Sequence, residues 1–354
     1  MRKFAFPFVI LAAAAAPAAA QGVTIGLAAP LTGPSAILGQ QLRDGAQRAA
    51  EAETATLEIA DDGCTAQGGV AAARAFIAAK VSLATGFLCT EALDAALPLL
   101  KDAGIATLVT GVRSNALTDR RLKTGWLVAR LSPRADAEMH AAVDILSERW
   151  RSIPFAIVDD GTIYSRDLAE GLRAGLELKG LRAAYTDTFR PQLENQVALV
   201  GRLRRSGATE IFVAGDRTDV AIIGRDTAAI GTPLTIIGGE VLRAAADEVD
   251  LVDGTLMIGL PEWREIADPA VVASLTDAGI EPEGYVLLGY AAVQVAAEAM
   301  RRAAAASGGR PLDQMLGEEF QTVIGPVGFT QAGDRTDNPY RLFRSIGGKF
   351  EPVE

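Results

Sequence analysis

Cys64 and Cys89 are the only cysteines of the 354-residue chain, and His140 is its only histidine. One histidine rules out a His-Glu-x-x-His zinc pattern and most other zinc sites, together with His-based nucleophile relays. His140 reads as a surface or packing residue on a helix. Two thiols can form a bridge in an oxidising compartment or stay as two buried free cysteines. The doublets Asp61-Asp62 and Asp159-Asp160 supply carboxylates, but each stands alone after a strand-like run. Calcium needs several oxygen ligands, so turn formation is the better reading of both doublets. No Gly-x-Gly-x-x-Gly, Walker-type or Gly-x-Ser-x-Gly run is present. Neither a metal nor a cofactor is expected.

Composition narrows the partners. Hydrophobic residues make up 49% of the chain and charged residues 22%, a globular balance. The formal net charge is −10 with no densely basic stretch, which argues against nucleic acid and anionic membrane surfaces. Met1-Arg2-Lys3, the apolar run Phe4 to Ala16 and Ala18-Ala19-Ala20 before Gln21 read as a cleavable signal peptide over residues 1–20. The apolar run is too short to span a bilayer. Export is therefore expected, and no cysteine at the cut suggests a lipid anchor.

Beyond the leader, short β-branched or apolar runs alternate with amphipathic stretches. Strand-like runs begin at Val23, Thr56, Val81 and Ala106, with helical patterns after each of the first three. A second series has strands at Phe155, Ala183, Glu210 and Leu234, separated by helices at Arg166–Lys179, Gln196–Ser206 and Thr218–Ile230. Helical stretches follow at Pro269–Ala278 and Tyr285–Ala306, then a short strand pair within Arg341–Phe350. Such alternation predicts an α/β fold of two doubly wound parallel-sheet lobes. Pro133, Pro261 and Pro339 mark three crossings, so lobe one takes residues 21–133 and 262–339, and lobe two residues 134–261 and 340–354. Ligands of open α/β sheets sit beyond the strands' carboxyl ends, here a cleft between the lobes.

Several segments together resemble the type I periplasmic solute-binding proteins of the branched-chain amino-acid (Leu/Ile/Val) ABC transporter family. They are Val23-Thr-Ile-Gly-Leu-Ala-Ala-Pro-Leu-Thr-Gly-Pro-Ser-Ala, Asp61-Asp62-Gly63-Cys64, Gly86-Phe-Leu-Cys89-Thr90, Ile157-Val-Asp-Asp-Gly-Thr-Ile-Tyr164, Ile237-Gly-Gly-Glu240 and Gly325-Pro-Val-Gly-Phe-Thr330. The resemblance implies a Cys64–Cys89 bridge and a periplasmic location. It also places Thr90 against a ligand carboxylate, which suits a hydroxyl beside free N–H groups at a helix start, where a plain cap is the alternative. Glu240 matches the acid that pairs with the ligand ammonium, and Tyr164 an aromatic that covers the ligand from lobe two. Without the resemblance, one would be an exposed loop acid and the other an ordinary helix-start tyrosine. Gly111, Val112 and Arg113 fall on a loop that touches ligand in relatives.

Three positions depart from the family pattern. Leu38 stands where relatives often carry an aromatic, Arg113 replaces a small hydroxyl residue, and Asp216 replaces an aromatic. A buried charge needs a partner. Arg113 could bind a ligand carboxylate, pair with Asp216 or Glu240 across the closed cleft, or point with Asp216 to solvent. The expected function is hinge closure on an amino acid, with delivery to ABC permease subunits. A binding protein or sensor for another small solute, such as an amide or aromatic acid, is the alternative. An exported enzyme using Asp216 and Glu240 as a carboxylate pair is the remote one.

Overall fold

The computed structural model describes residues 23–232, 234–245, 247–306 and 308–353. The leader expected over residues 1–20 lies outside them. Five short runs build a first sheet: β1 (Thr24–Ala29), β2 (Thr56–Asp61), β3 (Leu83–Gly86), β4 (Ala106–Val109) and β5 (Val128–Arg130). They lie in the order β2-β1-β3-β4-β5, every pair parallel. Helices α1 (Ala36–Glu53), α2 (Ala66–Ala78) and α3 (Thr90–Asp102) make the crossovers, and the single turns α4 (Ala116–Asp119) and α5 (Arg121–Thr124) lead into β5.

After α6 (Ala137–Arg149) the chain builds a second sheet with the same winding. Its strands are β6 (Phe155–Asp159), β7 (Tyr185–Thr188), β8 (Glu210–Ala214), β9 (Thr235–Gly238) and β10 (Leu256–Gly259). Between them run α7 (Ile163–Leu178), α8 (Val197–Ser206) and α9 (Arg217–Ala229). The order β7-β6-β8-β9-β10 repeats that of the first sheet strand for strand. The chain then returns through α10 (Trp263–Ile266), α11 (Pro269–Asp277), α12 (Val286–Ala305) and the hairpin β11 (Glu319–Thr322) and β12 (Gly325–Gly328). It crosses back as β13 (Arg341–Ile346) and β14 (Lys349–Pro352), which extend the second sheet antiparallel beside β10. Pro133, Pro261 and Pro339 lie on the three segments that pass between the sheets.

Each sheet is covered by apolar packing on both faces, which is why its central strands are continuous apolar runs. One cluster joins Ile25, Leu27 and Leu108 to Leu42 of α1 and to α12, and another packs Phe76, Phe87 and Leu93 on the opposite face. The second sheet has the equivalent pair, around Trp150, Phe155 and Leu172 and around Val213, Ile223 and Ile236. Helices α1 and α12 meet backbone to backbone. A Cβ built at Gly45 would fall 1.8 Å from the Val286 carbonyl oxygen, so only glycine fits. Trp150 stacks on Phe155 with ring centroids 4.2 Å apart and donates its indole N–H to Glu210 at 2.7 Å.

Both sheets hold one more strand than the sequence reading assigned. β5 has three residues and β10 four, at or below the length at which an apolar run separates from a turn.

Candidate ligand-binding cleft

Because the two sheets share one strand order, their carboxyl-end loops correspond. Thr90 follows the third strand of the first sheet and Asp216 the third of the second. Arg113 follows the fourth strand of one and Glu240 the fourth of the other, while Tyr164 follows the first strand of the second sheet. The two loops of the first lobe lie side by side: Gly111 N–H donates to the Phe87 carbonyl at 3.3 Å, and a Cβ on Gly111 would meet Leu88 at 2.6 Å. Gly86, at φ +100 and with its Cβ position 2.0 Å from the Ala28 carbonyl oxygen, turns the chain into this loop.

The lobes meet through Arg113. Its Nη1 lies 3.4 Å from Glu240 Oε2, its Nη2 donates to the Tyr340 hydroxyl, and its guanidinium sits 5.6 Å from the centre of the Tyr340 ring. The Tyr340 hydroxyl donates to the same Glu240 oxygen at 2.7 Å. Glu138 of α6 extends the cluster: its Oε1 accepts the Glu240 backbone N–H at 2.7 Å and its Oε2 the Tyr164 hydroxyl at 2.6 Å. Five residues thus form one hydrogen-bonded array between the strand ends, its two side-chain groups joined through the Glu240 backbone N–H.

Burial sets the protonation tendencies. Glu138 is buried, and loss of water pushes its carboxyl above the usual range despite the bonds from Tyr164 and the Glu240 N–H. The hydroxyls of Tyr164 and Tyr340 are pushed well above an ordinary phenol, first by lost water around the oxygen and then by the neighbouring carboxylates, so both stay as donors, although the Tyr164 side chain as a whole is half exposed. Burial opposes the charge on Arg113, but Tyr340 and Glu240 outweigh it and hold the guanidinium protonated.

A carboxyl whose folded pKa is raised holds its proton more tightly in the native state. The native advantage of Glu138 is therefore full below the ordinary glutamate range and is lost as pH rises through its raised folded value. Glu138→Gln, whose amide oxygen can accept the Glu240 N–H while its NH2 donates to the Tyr164 hydroxyl, should raise the melting temperature relative to the parent more at pH 8 than at pH 4. An equal difference at the two pH values would show that this carboxyl does not shift on folding.

The remaining positions behave differently. Thr90 is the first residue of α3 and exposed; Cys89, not Thr90, is the N-cap, and its side chain makes no capping bond. The cap alternative for Thr90 is thus excluded. Asp216 is the exposed N-cap of α9, accepting the Asp219 N–H at 2.9 Å, so of the two acids proposed as partners for Arg113 the structure pairs it with Glu240. Val112 buries its side chain and its carbonyl accepts from Ser132 Oγ at 3.2 Å. Leu38 is exposed on α1. Cys64 and Cys89 are bridged, Cα to Cα 5.2 Å, tying the loop after β2 to the start of α3.

Both aspartate doublets form turns: Asp61 accepts from Leu31, Thr32 and Gly63, and Asp160 from the Thr162 N–H and hydroxyl. His140 is exposed, 4.0 Å from Asp136. Glu138 and Tyr340 were missed by the sequence reading. For Glu138 a signal existed: Ala141 and Ala142, three and four residues on, put it on the apolar face of α6. Tyr340 carried no periodic signal.

Two doubly wound sheets with facing strand ends, joined by three crossings and linked across the gap by side chains, define a hinged binding protein. Residues 22–349 match the model of the periplasmic binding protein family, and the chain belongs to that family of solute-binding proteins. The Leu/Ile/Val-binding protein BraC3 of Rhizobium johnstonii is 27% identical over 354 residues, covering 96% of each chain. Among solved structures, a branched-chain amino acid ABC transporter protein from Rhodospirillum rubrum superposes with a TM-score of 0.78 at 19% identity, over 94% of this chain and 100% of that one. An ABC transporter substrate-binding protein from Desulfitobacterium hafniense in complex with Leu gives 0.68 at 20% identity with the same coverage.

Proposed function

We propose that the chain is the exported solute-capturing component of an ABC importer, taking a small carboxylate-bearing solute of amino-acid size into the interlobe cleft. The observation that carries this reading is the 3.4 Å approach of Arg113 to Glu240, which brings corresponding strand-end loops of the two lobes together. Relatives named for binding leucine, isoleucine and valine support the solute class. The exposed Thr90 hydroxyl and the free N–H groups at the start of α3 suit the carboxylate. From the other lobe Tyr164, 51% exposed and fixed at its hydroxyl by Glu138, supplies an aromatic cover. Gly111, Val112, Leu38 and Asp216 complete the walls.

No bond of the solute is made or broken. The solute stabilises the closed arrangement because it contacts both lobes only there. The closed lobes then present it to the permease subunits. Export through the leader at residues 1–20 puts the protein in the periplasm.

A thermal-shift screen of amino acids, amides and small carboxylic acids should find a solute that raises the melting temperature. Tyr164→Ala should weaken that solute at least about tenfold by calorimetry, since an aromatic cover buries a large apolar area. Unchanged affinity in that variant would remove the cleft from the binding site.

A further inference from the structure

Resting on capture in this cleft, we propose that Arg113 is a specificity determinant that occupies, on Glu240, the place a ligand ammonium would need, so that the cleft selects acids and amides carrying no ammonium group. A single oxygen of Glu240 receives both Arg113 Nη1 and the Tyr340 hydroxyl. The other nearby carboxylate is also committed, since both oxygens of Glu138 already accept bonds, one from the Glu240 N–H and one from Tyr164. Only Glu240 Oε1 has no partner among the described residues. It suits the single neutral donor of a hydroxyl or an amide.

An ammonium placed there would share one carboxylate with a guanidinium, and like charges so close repel. Displacing Arg113 is no easier. The guanidinium is tethered, stays charged at any working pH and covers the Tyr340 ring at 5.6 Å. Pulling it away would leave a half-buried cation without its partner, since Arg113 is 33% exposed and its Nε already lacks a hydrogen bond. A zwitterion therefore meets a site whose negative charge is already answered from within the chain. A hydroxy acid, a simple carboxylic acid or an amide of the same shape does not.

Matched probes test this. Calorimetry on the full mature chain would compare leucine with 2-hydroxy-4-methylpentanoate and 4-methylpentanoate, and phenylalanine with 3-phenylpropanoate. The deaminated member of at least one series should bind at least about tenfold tighter than its amino acid. Arg113→Thr should reverse the order by exposing Glu240, leucine or phenylalanine gaining at least about tenfold. Glu240→Gln, which keeps the shape, should abolish that gain in an Arg113→Thr background. Leucine or phenylalanine binding more tightly than its deaminated partners in the unmodified protein would overturn the role of Arg113 and leave cleft capture standing. If no probe binds the parent or either variant, capture in this cleft fails and the selectivity fails with it.

Discussion

Asp334→Ala is expected to lower the unfolding free energy by about 3–5 kcal/mol, because it strands a fully buried arginine. The side chain of Arg130, the last residue of β5, is 0% exposed. Its Nε donates to Asp334 Oδ1 at 3.0 Å and its Nη2 to the same oxygen, while Nη1 reaches the Ser114 carbonyl at 2.7 Å. Thr118 Oγ1 bonds both ions, and Arg134 adds a second guanidinium on Asp334 Oδ2 at 3.1 Å. Removing the carboxylate leaves Arg130 buried with only Thr118 and the Ser114 carbonyl as partners, while Arg134 keeps Asp119 and Asp136. The urea midpoint should fall accordingly, whereas loss of the exposed Arg48–Glu51 pair should change it little. A midpoint unmoved by Asp334→Ala would mean that Thr118 and the Ser114 carbonyl suffice for Arg130.

Reduction of the Cys64–Cys89 bridge is expected to cost about 3.5 kcal/mol on the loop-entropy model, given a sequence separation of 25 residues. The melting temperature should drop by roughly 5 °C or more in reductant, and Cys64→Ser with Cys89→Ser should match the reduced parent. The bridge also fixes the residue just before Thr90, so solute affinity should weaken alongside. A melting curve indifferent to reductant would show that the loop after β2 is held by its other contacts, among them Asp61 with Thr32.

Much of the architecture could be read from local chemistry. Apolar runs bounded by glycine or aspartate gave the central strands of both sheets, and the Asp216-Arg-Thr-Asp219 run has the form of a helix start, with an acid capping an N–H three residues on. Among the strands that escaped, β5 and β10 are short edges of each parallel set, where three or four residues carry no period, and the hairpin of β11 and β12 is as short. Within the cleft, residues attached to strand ends were readable because the fold puts strand ends there. Which acid Arg113 meets was not, since that depends on how two separately wound lobes lie against each other. Tyr340 joins the site only because the third crossing passes beside it, a fact of topology that no short window contains. Glu138 differs in kind. Its position on the apolar face of α6 marked a buried acid in need of partners, and both partners come from segments far along the chain.

The contact between Arg113 and Glu240 also acts when no solute is present. Both side chains keep about a third of their surface in water, so dissolved ions weaken their attraction. The hold of one loop on the other through this pair therefore loosens as the surrounding medium becomes saltier. The tie between the two loops thus depends on ionic strength before any cargo arrives.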